Sequence, residues 1–284
     1  MKKLISFDEV SKKIAHKTIL NKISFDLYEG QILGLLGHNG AGKSTIINLL
    51  LGADNYTGLI NVMGKNPYKD RQIIMQDLAY LSDAESLPKW MKVRDIIKYM
   101  KGVHPKFLEE NAVSYLNKTD INLTTKIAEL SKGMTMQLHL SLIMATNCKI
   151  LILDEPTLGL DLMYRHEFYQ LVQEWFNESG RSILITSHEI NELENFITDV
   201  VFIKNGFVTK RSSLENIISE YFKCKVEVSH FEKLKKFNPY ILESNNRENI
   251  ILIKKEFLDE VESIETIIPN ISEIFLAHQK GGIL

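Results

Sequence analysis

Nine consecutive residues, Gly37-His38-Asn39-Gly40-Ala41-Gly42-Lys43-Ser44-Thr45, combine glycines, a lysine and hydroxyls at a spacing suited to phosphate chemistry. They follow the apolar run Ile32–Leu36 and open into Thr45–Leu51, so the expected order is strand, glycine-rich turn, helix. Gly37, Gly40 and Gly42 let the backbone fold closely around phosphate oxygens, with consecutive N–H groups aimed at them. The helix start adds partial positive charge. Lys43 supplies a point charge for the outer phosphates, and the Ser44 hydroxyl is placed to ligate Mg²⁺. A second constellation lies at Asp154-Glu155, after the apolar run Ile150–Leu153 and before Pro156. Open α/β sheets bind ligands at the carboxyl ends of their strands. There, Asp154 can hold Mg²⁺ directly or through water opposite Ser44, and Glu155 can act as general base for a water attacking the γ-phosphate. Alone, the acidic pair reads equally well as a turn; beside the glycine loop it points to hydrolysis of a nucleoside triphosphate with Mg²⁺.

The elements that must position these groups are legible as patterns. Leu4–Phe7 and Ile23–Leu27 alternate apolar and polar residues with period two, and Glu29-Gly30 turns the chain into the strand before the loop. Strands are further expected at Gly58–Val62, Leu78–Leu81, Ile150–Leu153, Ser182–Thr186 and Val200–Ile203. Helices are expected at Tyr164–Phe176 and Glu189–Phe196. Between Pro88 and Ala145 the texture changes to helical spacing at Val93–Met100, Leu108–Leu116 and Met134–Met144, which reads as a helical subdomain over about residues 85–145. Beyond Leu214 the rhythm breaks again. Strands at Lys225–Val228 and Ile250–Ile253 and helices near Phe257–Ser263 and Ile271–Ala277 describe a small α+β appendix. The expected fold class is α/β: a phosphate-loop NTPase with a β-rich N-terminal subdomain, an inserted helical subdomain and an appendix, divided as residues 1–213 and 214–284.

Composition narrows the classes. With 284 residues, 44% of them hydrophobic, the chain can bury one sizeable core and a smaller unit. A formal charge of −2 provides no global basic field to hold nucleic acid, and no nucleic-acid partner is expected, which leaves room only for a local basic patch. Two cysteines, Cys148 and Cys224, have neither metal spacing nor a framework of pairs, which fits a reduced, cytoplasmic setting. No apolar run approaches the roughly 20 residues of a membrane span, so any work at a membrane is done from its surface.

Three further motifs carry a resemblance. Leu130-Ser131-Lys132-Gly133-Met134 opens a helix, Asp154–Asp161 reads Asp-Glu-Pro-Thr-Leu-Gly-Leu-Asp, and Thr186-Ser187-His188-Glu189 follows a core strand. In order and spacing, about Met1 to Ser213 resembles the ATP-binding-cassette (ABC) ATPase family. The resemblance implies that Ser131, the Gly133 N–H and their helix start address the γ-phosphate held by a second ATPase subunit, an identical copy or a paralogue, in a head-to-tail dimer. By themselves Ser131 reads as an ordinary N-cap and Asp161 as a polar helix start. The resemblance makes Asp161 the aspartate that couples the two sites, and His188 the switch histidine that contacts the γ-phosphate and orients Glu155. Lys132, Met134 and Gln137 depart from the family pattern. Asp83 stands where the family has a Mg²⁺-touching glutamine, and reads equally as a metal ligand or a solvated loop acid. Ile14, with His16 nearby, stands where the family stacks an aromatic ring on adenine. The tail Pro269–Ala277 resembles that of bacterial exporters whose permease is a separate chain. The implied function is therefore the ATPase subunit of an ABC exporter of drugs or peptides, at the cytoplasmic face of the membrane with an integral membrane permease as partner. A soluble ABC ATPase acting on ribosomes or DNA is the alternative.

Overall fold

The computed structural model describes residues 2–82, 87–178, 180–187, 190–261 and 265–281. Two long strands, β1 (Lys3–Ile14) and β2 (Lys17–Tyr28), pair antiparallel as a hairpin. They precede β3 (Ile32–Gly37) and α1 (Lys43–Leu50), then β4 (Thr57–Val62), the single turn α2 (Arg71–Ile74) and β5 (Leu78–Ser82). Three helices follow, α3 (Val93–Val103), α4 (Glu109–Leu116) and α5 (Lys132–Met144). The chain then runs through β6 (Ile150–Asp154), α6 (Leu162–Phe176), β7 (Ser182–Thr186), α7 (Ile190–Leu193), β8 (Asp199–Lys204) and β9 (Phe207–Ser213). It ends with α8 (Leu214–Ser219), β10 (Tyr221–Glu227), α9 (Val228–Leu234), β11 (Tyr240–Ser244), β12 (Glu248–Lys254), β13 (Glu265–Ile267) and α10 (Ile271–Lys280).

A six-stranded sheet in the order β5-β6-β7-β3-β8-β9 forms the centre, parallel except for the antiparallel edge strand β9. β3 and β7 are buried at every residue and β6 and β8 nearly so, because helices and the second sheet cover both faces; that is why their sequences read as continuous apolar runs rather than alternations. On one side lie Trp175, Phe168, Leu153, Ile185 and Phe202. On the other, α1 and a three-stranded sheet, β2-β1-β4, enclose Ile46, Leu50, Leu35, Ile152 and the stacked pair Phe7–Phe25. Gly58–Val62, expected only as a strand, joins that antiparallel sheet. Gly58 has φ +93, and a Cβ there would meet the Glu9 carbonyl at 2.5 Å, so the close approach to β1 requires glycine.

α3 and α4 pack on α5 through Val93, Ile97, Phe107, Leu116 and Leu138. α5 belongs to two cores at once: Met136, Leu140 and Met144 face the central sheet, while Leu138, Leu142 and Ala145 face α3 and α4. It thereby joins the helical layer to the sheet.

The C-terminal strands form a separate antiparallel sheet, β11-β12-β10-β13, over Cys224, Val226, Leu234, Ile251 and Ile253. Its opposite face, with Tyr221 and Leu252, and the α10 residues Ile271, Ile274 and Ala277 join the main core, where Phe275 packs edge-on to Phe202 at 5.3 Å. Three local expectations differ. A 3₁₀ segment at Lys255–Glu260 stands where a helix near Phe257–Ser263 is predicted. The strand expected at Lys225–Val228 spans Tyr221–Glu227, and Val228 opens α9. The helix expected at Glu189–Phe196 is only Ile190–Leu193 among the described residues, because the Phe196 and Ile197 N–H groups both turn back to the Leu193 carbonyl.

Candidate functional site

The turn between β3 and α1 is shaped by its glycines. Gly40 and Gly42 have φ +80 and +115, and a Cβ at Gly42 would lie 2.6 Å from Leu20 Cδ2. A Cβ at Gly37 would lie 2.7 Å from the Ile203 carbonyl oxygen. The turn is also held from outside: the Gly206 N–H donates to the Ala41 carbonyl at 3.0 Å, and the Asn21 N–H to that of Gly206 at 2.9 Å. Gly42 caps α1 with no side-chain hydrogen bond, so no N-cap side chain competes for the first turn's N–H groups.

Lys43 is buried and donates from Nζ to the Gly37 carbonyl at 2.6 Å, bending back over the turn. Burial pulls its ammonium below the usual lysine range, against the opposing pull of Glu155 and Asp154. Glu155 Oε1 lies 3.9 Å from Lys43 Nζ. The three residues converge because β3 and β6 flank β7 in the parallel sheet, which puts the carboxyl ends of all three side by side.

Thr186, at the end of β7, ties the acidic pair together. Its Oγ1 donates to Asp154 Oδ1 at 2.6 Å and accepts from the Glu155 N–H at 3.2 Å. Tyr80 OH donates more weakly to Asp154 Oδ2 at 3.4 Å. Burial raises the Asp154 carboxyl above the usual range, with the neighbouring Glu155 charge adding and the Thr186 hydroxyl opposing. Glu155 sits at φ +49, a left-handed conformation unusual for a non-glycine residue, and this turn aims it back across the strand ends. Sequence reasoning gave neither Thr186 nor Tyr80 a part in the site. The signal for Thr186 was a hydroxyl at the carboxyl end of a strand whose middle, Ile183–Ile185, is apolar.

A cavity of about 360 Å³ lies over these groups. His38, Asn39, Gly40, Gly42, Lys43, Ser44 and Thr45 line it together with Asp154 and Glu155, and the β1–β2 hairpin contributes Ile14, Lys17 and Ile19. Gly37 and Ala41 support the loop from beneath; Ala41 is buried. His38 places Nδ1 2.7 Å from the Asn39 carbonyl oxygen and Nε2 3.3 Å from Asn205 Oδ1. Asp83 and His188 lie outside the described residues.

Ser131, Gly133 and Asp161 do not line this cavity. Ser131 caps α5, with Oγ accepting from the Met134 N–H at 3.1 Å, and Asp161 caps α6, with Oδ1 accepting from the Tyr164 N–H at 3.0 Å. The two helix starts are joined: Lys132 Nζ donates to the Leu158 carbonyl at 2.6 Å, and the Tyr164 ring covers Gly133 so closely that a Cβ would sit 2.5 Å from its Cγ. Deeper in, Gln137 Nε2 donates to Glu167 Oε2. Leu162 and Met163, beside Asp161, are 80% and 65% exposed.

The donor set fits Mg²⁺. Asp154 and Ser44 present hard oxygen donors to one cavity. Among the described residues no cluster of three His, Cys, Asp or Glu could cage a metal.

The ABC transporter family profile matches residues 20–158. An uncharacterised ABC transporter ATP-binding protein of Methanocaldococcus jannaschii is 31% identical over 271 residues, covering 93% of this chain and 95% of the relative. The ABC transporter ATP-binding protein YtrB of Bacillus subtilis is 29% identical over 291 residues, covering 98% and 99%. Shorter matches run in both transport directions by name: a Nod factor export ATP-binding protein of Rhizobium etli (28% identical, 78% and 72% covered) and a hemin import ATP-binding protein of Vibrio parahaemolyticus (30%, 72% and 82%). A solved ATP-binding subunit of an ABC transporter shares the fold at TM-score 0.69 and 23% identity, over 75% of this chain and 91% of that one. This chain belongs to the family of ABC transporter ATP-binding proteins. It is the ATPase subunit of a membrane transporter, and no helix among its described residues is long and apolar enough to cross a membrane.

Proposed function

We propose that this chain is one half of an ATP-driven clamp on the cytoplasmic face of a membrane, working with a second ATPase subunit and a separate permease to export its substrate. The observation that carries the catalytic part is the meeting of Lys43, Asp154 and Glu155 over one cavity at the ends of β3 and β6. The Gly37–Thr45 loop and Lys43 bind the phosphates. Ser44 and Asp154 hold Mg²⁺, which neutralises phosphate charge when bound. Glu155 takes the proton of the attacking water. His188 is assigned the switch role and Asp83 a metal contact, both from the family pattern.

Ser131, the Gly133 N–H and Asp161 are assigned to the partner's nucleotide. Supporting this, they sit on two helix starts outside the cavity of their own chain, beside the exposed Leu162 and Met163. Export is supported by the resemblance of the Pro269–Ala277 tail to exporter subunits. Closure is driven by the better fit of ATP than ADP to the closed dimer, since only a differential affinity can move the permease. The test is to trap tagged Glu155→Gln with Mg·ATP in native cells, solubilise gently and identify what co-purifies. A stoichiometric multi-span protein is expected; ribosomes or DNA instead would overturn the reading. Transport by the purified complex in vesicles of known orientation then decides the direction.

A further inference from the structure

We propose that Gln279, on the C-terminal helix α10, is a positioning residue for the phosphate loop, acting through the end of β8 and the turn that follows it. This rests on the phosphate-binding role proposed above for Gly37–Thr45. β8 runs beside β3 with Ile203 opposite Gly37, close enough that a Cβ at Gly37 would meet the Ile203 carbonyl oxygen at 2.7 Å. The Gly37 carbonyl is the one that accepts from Lys43 Nζ. Past Lys204 the chain turns at Asn205, which has φ +50, and Gly206. That turn reaches the loop twice more: Asn205 Oδ1 lies 3.3 Å from His38 Nε2, and the Gly206 N–H donates to the Ala41 carbonyl. One short stretch, residues 203–206, therefore braces the loop at Gly37, His38 and Ala41.

α10 grips the same strand end. Gln279 Nε2 donates to the Ile203 carbonyl at 3.2 Å, and Lys204 Nζ donates to the His278 carbonyl at 3.4 Å. The rings of Phe275 and His278 stand edge-on to Phe202, each 5.3 Å away between centroids. His278 is tied in turn to the appendix, its Nε2 3.1 Å from Tyr221 OH. Phe202, Ile203 and Lys204 are thus held by α10 immediately before the turn that braces the loop. Fold stability alone is a poor account of Gln279. Its Oε1 is buried with no hydrogen-bond partner among the described residues, and an unpaired buried acceptor offsets what the single bond from Nε2 contributes. A methionine of similar length would bury here without that cost. What the amide adds is direction: it fixes the carbonyl that abuts Gly37. A phosphate cradle works by the aim of its N–H groups, so a loop already held in its binding geometry gives up less freedom when phosphate arrives.

The test measures the Mg·ATP Kd by equilibrium binding, and the urea midpoint, for the purified full chain, Gln279→Met and Lys43→Ala. Gln279→Met is expected to weaken Mg·ATP about five-fold, the worth of one neutral hydrogen bond, at an unchanged urea midpoint. A purely structural bond would do the reverse, lowering the midpoint and leaving Kd alone. A Kd in Gln279→Met within about 1.5-fold of the parent therefore overturns the proposal, whatever the midpoint. Should Gln279→Met fail to fold, amide exchange in the parent decides. Linkage requires Mg·ATP to slow exchange along α10 if α10 holds the loop, and no slowing there overturns the proposal. Lys43→Ala separates the two readings. Loss of binding in that variant, with Gln279→Met binding like the parent, leaves the phosphate site standing and removes only the role of Gln279. A parent that binds no nucleotide, or a Lys43→Ala variant that binds like the parent, removes both.

Discussion

Replacing Glu155 by glutamine changes one oxygen to an amide at the centre of the proposed chemistry. The backbone should hold, because the left-handed turn at φ +49 and the hydrogen bonds of its N–H to Thr186 do not involve the side-chain charge. Two consequences follow from the geometry. First, the water loses its base, and removal of a positioned general base typically costs 10² to 10⁴ in rate, or about 3–5.5 kcal/mol. Second, a negative charge disappears 3.9 Å from Lys43 Nζ in a largely buried setting. At an effective dielectric near 20 the gross attraction at that distance is on the order of 4 kcal/mol before desolvation, and a γ-phosphate beside Glu155 would feel repulsion of similar order. The variant should therefore bind ATP as tightly as the parent or more tightly, while kcat falls at least about 100-fold. Phosphate release under saturating Mg·ATP gives kcat, and equilibrium binding gives Kd. A kcat within about three-fold of the parent would refute the assignment of the base. A Kd raised about ten-fold alongside the rate loss would instead make Glu155 a phosphate-binding residue.

The other predictions test how the site is supported. Thr186→Val keeps shape but removes the donor to the Asp154 carboxylate, so stability should fall by about 1.5–3 kcal/mol, with weaker Mg²⁺-dependent ATP binding; urea unfolding and a Mg²⁺ titration measure the two effects. Asp154→Asn should raise the Tm of the nucleotide-free protein at neutral pH. Burial raises the folded Asp154 carboxyl above the ordinary aspartate range, so its contribution to stability is fully present below the unfolded value and is lost as pH rises through the folded value. The advantage of the variant should then shrink as pH falls toward 4, and Mg·ATP should raise the variant's Tm less than the parent's. Gly133→Ala places a Cβ against the root of the Tyr164 ring, which cannot swing aside as a flexible tip would, and should cost about 1–3 kcal/mol. Combining it with Tyr164→Ala should recover part of the loss; strict additivity in denaturant melts would show that the two residues do not meet.

What could be read from the sequence, and what could not, divides by the range of the forces. The loop at Gly37–Thr45 was legible because each part is local: a buried strand, glycines at left-handed φ, and a helix starting at once. The core strands Ile150–Leu153 and Ser182–Thr186 were legible because burial on both faces leaves an unmistakable apolar run. The edge strands β11 and β13 were not, since their residues are mostly exposed and carry no alternation for burial to impose. Long-range pairing was equally hidden. Nothing near Asp154 in sequence announces that Thr186, 32 residues on, will share its carboxylate. Nor does Lys132 announce that it will reach the carbonyl of Leu158, 26 residues away.

That last contact bears on how the proposed dimer would work. A lysine where the family pattern differs, a glycine roofed by Tyr164 and the half-buried Gln137–Glu167 pair together bind the start of α5 to the start of α6. α5 is also the helix shared by the sheet and the helical layer. If Ser131 and Asp161 serve a partner's nucleotide, these contacts tie them to the helical layer and, through α5, to the sheet whose strand β6 ends at Asp154. In the proposed dimer, a partner pressing on Ser131 would load the helical layer and the strand ending at Asp154 together, a mechanical route by which the site could be coupled to a permease.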